Sequence, residues 1–120
     1  ARRNINKMRH WAGKPNAGIA PEDDNNTAVD KSKKTATDRY KAVNLCNRHT
    51  VEFRFFRGTL KRDTIIASIQ WVDTIIRYCR KTPLKDLFST SWDNIFSNTE
   101  HAELTEYLKQ RNLYNVKEEN

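Results

Sequence analysis

The eleven residues Thr50-Val51-Glu52-Phe53-Arg54-Phe55-Phe56-Arg57-Gly58-Thr59-Leu60 constrain this chain more than any other stretch. Five aromatic or β-branched residues in the first seven positions predict a strand, and Gly58 ends it. Strand side chains alternate between faces. Thr50, Glu52, Arg54 and Phe56 therefore share one face, and Val51, Phe53, Phe55 and Arg57 share the other. The second face is mostly apolar and needs cover. The first sets a carboxylate beside a guanidinium, a pairing that most often forms an ion pair on a solvated sheet face. The same two groups also suit a divalent metal and a phosphate, respectively.

The neighbouring sequence builds a fold around this strand. Arg39 to Cys46 reads as a partner strand (39–46) joined at Asn47-Arg48 to the strand 49–57, a short hairpin connection. From Lys61 to Lys81, Ile65, Ile66, Ile69, Val72, Ile75, Ile76 and Cys79 recur every three or four residues, the stripe of an amphipathic helix expected to cover the Val51, Phe53 and Phe55 face. Thr82-Pro83 signals a second helix through Leu84, Leu87 and Phe88, with Thr82 as N-cap and Pro83 at its first position. Ser91-Trp92-Asp93-Asn94 signals a short further turn. Asn98 is the expected cap of a last helix, 99–111, with acids early, bases late and Leu104, Tyr107 and Leu108 inward. The expected class is α+β: a small antiparallel sheet (hairpin 39–46/49–57) packed against the 61–81 helix and C-terminal helices. Open sheet edges admit a homodimer.

Ahead of this core, residues 1–14 form a basic arm, with residues 2–12 a short helix stopped by Gly13 and Pro15. Residues 15–38 read as a flexible loop, being polar from Glu22 onward with Val29 its only large apolar side chain there. Residues 39–114 are the core and 115–120 a tail. A 120-residue chain is the size of one domain. With 37 % hydrophobic and 31 % charged residues and three each of Gly and Pro, it is built to fold. No apolar run reaches membrane-spanning length and no secretory signal is visible, so a cytoplasmic protein without membrane contact is expected. Cys46 and Cys79 lack metal-ligand spacing and read as reduced, buried thiols.

The net charge of +7 is uneven. Arg2, Arg3, Lys7, Arg9 and Lys14 face no acid in the arm, and residues 39–62 hold seven Lys and Arg against Glu52 alone. That field suits a polyanionic or acidic partner: nucleic acid, nucleotide phosphate or an acidic protein surface. Arg2, Arg3, Lys7, Arg9, Arg39, Arg48, Arg54 and Arg57 are expected to form one positive patch. Trp11 is the best candidate for stacking on a base, whereas Trp71, flanking the helix stripe, is expected to be packed. His10, His49 and His101 have neither ligand spacing nor an obvious acid partner. Glycine-rich phosphate loops and Ser or Cys nucleophile signatures are absent, which removes P-loop and hydrolase chemistry.

Arg39-Tyr40-Lys41-Ala42-Val43-Asn44-Leu45, the Thr50–Leu60 string and the helix after it resemble the C-terminal core of the amidoligase family, carboxylate–amine ligases of the glutamine synthetase and glutamate–cysteine ligase superfamily. Arg2-Arg3-Asn4 and His10-Trp11-Ala12 resemble the segment preceding that core. The resemblance implies catalytic roles for Glu52 and Arg54: Glu52 would ligate a metal, and Arg54 would hold a phosphate or acyl-phosphate, with Arg57 a second phosphate candidate. Alternation places Arg57 opposite Arg54, so either a bulge follows Phe55 or Arg57 serves the sheet edge. An intact amidoligase uses ATP and Mg. One carboxylate does not organise magnesium, which demands near-octahedral oxygen ligation, so the chain alone is expected to need no cofactor and to form no amide bonds.

Two functional readings remain open. The preferred one is a non-catalytic basic binding protein on a truncated amidoligase-like fold, of which a phage-encoded inhibitor of a host nucleic-acid-guided defence complex is one concrete form. The alternative is the C-terminal half of an ATP-dependent amidoligase joining a carboxylate to an amine. The opening Ala-Arg-Arg fits a short gene product that lost its initiator methionine, or an internal cut.

Overall fold

The computed structural model describes residues 6, 18–36, 38–54, 56–97 and 99–113. Arg2, Arg3, Lys7, Arg9, His10, Trp11, Phe55, Asn98 and the tail lie outside the described residues, and the last helix starts at Ala102 with His101 as its N-cap rather than at 99 behind Asn98. The chain divides into two compact units, Ala1–Arg57 and Gly58–Asn120.

In the first unit, helix α1 (Asn25–Thr35) lies where the polar composition predicts a loop. Its end groups explain the difference. Asp24 at the N-cap accepts a hydrogen bond from the Thr27 amide at 2.7 Å, and Lys33 and Lys34 occupy the last turn, where the helix dipole favours cations. Asp23 accepts from the Ala20 amide at 2.9 Å and from Lys31 Nζ at 2.6 Å, tying the entry to the helix face. Only Ala28 is buried, so α1 shows almost no apolar stripe by which the sequence would betray it.

Strands β1 (Val43–Asn44) and β2 (Glu52–Phe53) pair antiparallel, with Val43 opposite Phe53 and Asn44 opposite Glu52. One more ladder bond runs from the Arg54 amide to the Ala42 carbonyl at 2.7 Å. The strands are far shorter than 39–46 and 49–57, and the connection covers residues 45–51 rather than Asn47-Arg48 alone. Two-stranded hairpins are marginal by themselves. This one is braced from α1, where Lys33 Nζ donates to the carbonyls of Asn47 at 2.7 Å and Thr50 at 2.8 Å. Val51, expected on a covered face, is 45 % exposed.

The second unit is helical: α2 (Arg62–Lys81), α3 (Leu84–Leu87), α4 (Trp92–Phe96) and α5 (Ala102–Gln110). Ala67, Phe96, Leu104 and Leu108 form its buried core, with Trp71, Ile75, Ile95 and Tyr107 packed against it. At 100° per residue, Ala67, Trp71, Thr74 and Tyr78 lie on one side of α2, and Ile65, Ile69, Val72 and Ile76 lie about 180° away. The expected isoleucine stripe is thus not the face this unit buries: Ile65, Ile69 and Ile76 are 43 %, 66 % and 37 % exposed. A stripe carrying Ala, Trp, Thr and Tyr, less apolar by composition, forms the contact because the small Ala67 and Thr74 admit α5 closely.

Thr82 caps the C-terminus of α2, its amide bonding the Tyr78 carbonyl at 3.1 Å, and Pro83 rather than Thr82 is the N-cap of α3. The short turn expected at Ser91-Trp92-Asp93-Asn94 is α4, and the structure shows Ser91 as its N-cap, accepting from the Asn94 amide at 3.2 Å. Helix α5 closes with Asn112 at φ 53°, a left-handed position that asparagine tolerates. The Asn112 amide bonds the Lys109 carbonyl and the Leu113 amide the Leu108 carbonyl, a Schellman closure. Both cysteines are free, as expected, but exposed rather than buried. The α+β class, with a two-stranded antiparallel sheet and several helices, is as the sequence predicts.

Candidate oxyanion-binding edge of the hairpin

Register decides what the hairpin displays. Asn44 faces Glu52 across the ladder and is 2 % exposed, so both ends of its amide need partners. Asn44 Nδ2 donates to Glu52 Oε2 at 3.3 Å, and Asn44 Oδ1 accepts from the Cys46 amide at 3.0 Å. That buried amide holds the Glu52 carboxylate from one side. Arg54 Nε approaches Glu52 Oε1 at 3.6 Å on the other. Their side chains are 34 % and 48 % exposed for Arg54 and Glu52, so the ion pair itself contributes only ~0–1 kcal/mol. Positioning matters more than that energy. Arg54 Nη1 donates to the Arg39 carbonyl at 3.0 Å, and the guanidinium carbon lies 5.6 Å from the Tyr40 ring centroid. Three contacts thus orient a partly exposed guanidinium before any ligand arrives.

The structure therefore brings together Glu52, Arg54 and the Arg39 backbone. Arg48, in the connection, and Arg57, beyond the last paired residue, are exposed without any described hydrogen bond or ion pair. Ladder pairing stops before Arg57, so face alternation does not govern its direction. Sequence reasoning missed Asn44, Tyr40 and Lys33; an asparagine two residues before Cys46 and a lysine in a polar stretch carry no spacing signal.

Magnesium does not fit these residues as a complete site. Glu52 supplies one carboxylate, the Asn44 oxygen is engaged by Cys46, and no group of three His, Cys, Asp or Glu among the described residues is placed to hold a metal. No described helix is long and apolar enough to cross a membrane.

The sequence model of the family described as "putative amidoligase enzyme" matches residues 17–76, half of the chain. The chain belongs to the amidoligase family. The match contains α1, the hairpin and most of α2, so the Glu52–Arg54 edge lies inside the family's core. No curated protein and no solved structure matches the chain.

A second polar cluster, in the helical unit, lies mainly beyond the family match. Asp73 on α2 accepts from Arg77 Nε at 2.9 Å and hydrogen-bonds His101 Nε2 at 2.7 Å. The His101 bond first, and then the Arg77 bond, hold the Asp73 carboxyl below its ordinary range. His101 does have an acid partner, therefore, 28 residues upstream on another helix, where no sequence spacing would reveal it.

Proposed function

We propose that this amidoligase-family chain acts, by itself, as a non-catalytic binding protein whose hairpin edge receives oxyanions of a polyanionic partner. The single observation that supports the reading is the preset Arg54 guanidinium, anchored by Arg39 and Glu52 yet one-third exposed. A guanidinium already ordered loses little side-chain entropy when it grips phosphate. Arg48 and Arg57 extend the positive charge along the hairpin, and Arg2, Arg3, Lys7 and Arg9 extend it in sequence. In its most specific form, inhibition of a nucleic-acid-guided defence complex by a phage-encoded protein, the proposal rests on charge and family context.

Family membership favours a second reading, in which the same edge belongs to an ATP-dependent ligase and Arg54 holds a phosphoryl group. That reading requires further carboxylates beside Glu52.

Fluorescence anisotropy with a labelled single-stranded oligonucleotide, over a salt series, tests the first reading. Affinity should fall with salt, and each of Arg54→Ala and Arg57→Ala should reduce the slope of log K against log salt by about one. Unchanged binding in Arg2→Ala, Arg3→Ala, Arg54→Ala and Arg57→Ala alike would sink it. ATP turnover by the natural gene product, lost in Glu52→Gln, would decide for the ligase.

A further inference from the structure

A cleft of about 300 Å3 opens in the helical unit between the C-terminal half of α2 and the segment entering α5. Its floor is internally satisfied. Thr74 Oγ1 bonds the Gln70 carbonyl at 2.8 Å and Thr99 Oγ1 at 3.0 Å, and Thr99 Oγ1 accepts from the His101 amide at 3.3 Å. What the cleft offers a ligand is its rim: Arg77 and Lys81 as cations, Glu100 as the anion, with Ile95 as an apolar wall.

The rim is partly preset. Asp73 engages Arg77 through Nε, which leaves the two-pronged Nη edge of the guanidinium for a ligand carboxylate. Lys81 makes no hydrogen bond or ion pair with a described residue. A dianion such as phosphate would meet two cations but also Glu100 and the nearby Asp73, so like-charge repulsion offsets much of the attraction. A simple cation meets the reverse problem. The charge pattern is matched by a ligand carrying both signs, and the volume sits at the small end of ligand pockets.

We propose that this cleft binds a small zwitterion, a free α-amino acid, with its carboxylate on Arg77 and Lys81, its ammonium on Glu100 and its side chain toward Ile95. The site is independent of the hairpin edge, shares no residue with it, and stands or falls separately.

Titration of the 120-residue chain with L-alanine, L-leucine, N-acetyl-L-leucine, L-leucinamide and inorganic phosphate, read by chemical-shift changes of the His101 and Ile95 signals, tests the proposal. L-leucine should bind more tightly than L-alanine. Removal of either charge, in the N-acetyl or amide analogue, should weaken binding about tenfold or more, the value of one charged hydrogen bond. Glu100→Gln should weaken L-leucine about tenfold while leaving N-acetyl-L-leucine unchanged, and Lys81→Ala should weaken both; both positions are exposed, so neither change threatens folding. Phosphate or N-acetyl-L-leucine binding as tightly as L-leucine, or no shift with 10 mM L-leucine (roughly tenfold above a millimolar Kd), would overturn it.

Discussion

Asn44→Asp isolates what the buried amide does for the hairpin. The change is isosteric and keeps an oxygen to accept the Cys46 amide, but it turns the donor facing Glu52 into a second acceptor carrying negative charge. At the 3.3 Å that now separates Asn44 Nδ2 from Glu52 Oε2, two unit charges repel by about 1.3 kcal/mol in water and about 5 kcal/mol at an effective dielectric constant near 20. Glu52 is half exposed and Arg54 lies 3.6 Å away, so the cost belongs toward the low end, about 1–3 kcal/mol. Its sign with pH follows. Protonating either carboxylate abolishes the repulsion, so the variant should match the parent below about pH 4 and lose stability as pH rises through the carboxylate range. Amide exchange of Val43, Phe53 and Arg54, compared at pH 4 and pH 7.5 after correction for intrinsic rates, reads the effect locally. Equal loss at both pH values would show that Asn44 acts through packing and would refute the electrostatic account.

Lys33→Met should release the Asn47 and Thr50 carbonyls to water, at a cost of roughly 1 kcal/mol because the site is exposed, and should speed amide exchange through residues 45–51 while sparing the helical unit. Leu104→Ala, at a position 1 % exposed, should destabilise the helical unit by about 2–5 kcal/mol, seen as an earlier denaturant midpoint by tryptophan fluorescence, since Trp71 lies 6.4 Å from the core residue Phe96. Asp73→Asn addresses pH. A carboxyl held below its ordinary value in the fold contributes stability that is present above the unfolded value, near 3.9, and is lost as pH falls through the lowered one. The variant should therefore flatten the acid limb of the unit's pH–stability curve; an unchanged limb would remove Asp73 from the account.

Local signals carried the elements whose causes are local. Glu52 and Arg54 share a strand edge because two-residue spacing leaves them little choice, and Leu104 and Leu108 occupy the inner face that their spacing predicts. Helix α1 escaped because its stability resides in end groups: an Asp24 cap and a Lys31–Asp23 ion pair hold a segment with one buried side chain. Long α2 misled for the opposite reason. It carries two stripes about 180° apart, and the more hydrophobic one is not the one its own unit buries. Hydrophobicity ranks faces by transfer energy, whereas contact with α5 also requires closeness, which Ala67 and Thr74 permit.

The candidate sites divide along the same line. Charge type and two-residue spacing sufficed to pick the hairpin's acid and base, but what makes them a site is a buried amide eight residues away and a backbone carbonyl fifteen away. Asp73 and His101 meet across 28 residues and two helices, so nothing in either residue's neighbourhood foretells the other. A positive field, by contrast, is a sum over the whole sequence and is visible without any fold. It says which sign of partner approaches; it does not say where the partner is gripped. Grip requires side chains fixed in place, and here fixation comes from partners remote in sequence, Arg39 for Arg54 and Asp73 for Arg77. The arginines that matter for recognition should therefore be those anchored by such partners rather than those in the densest run of charge, and alanine at Arg54 should cost more affinity than alanine at the exposed Arg48.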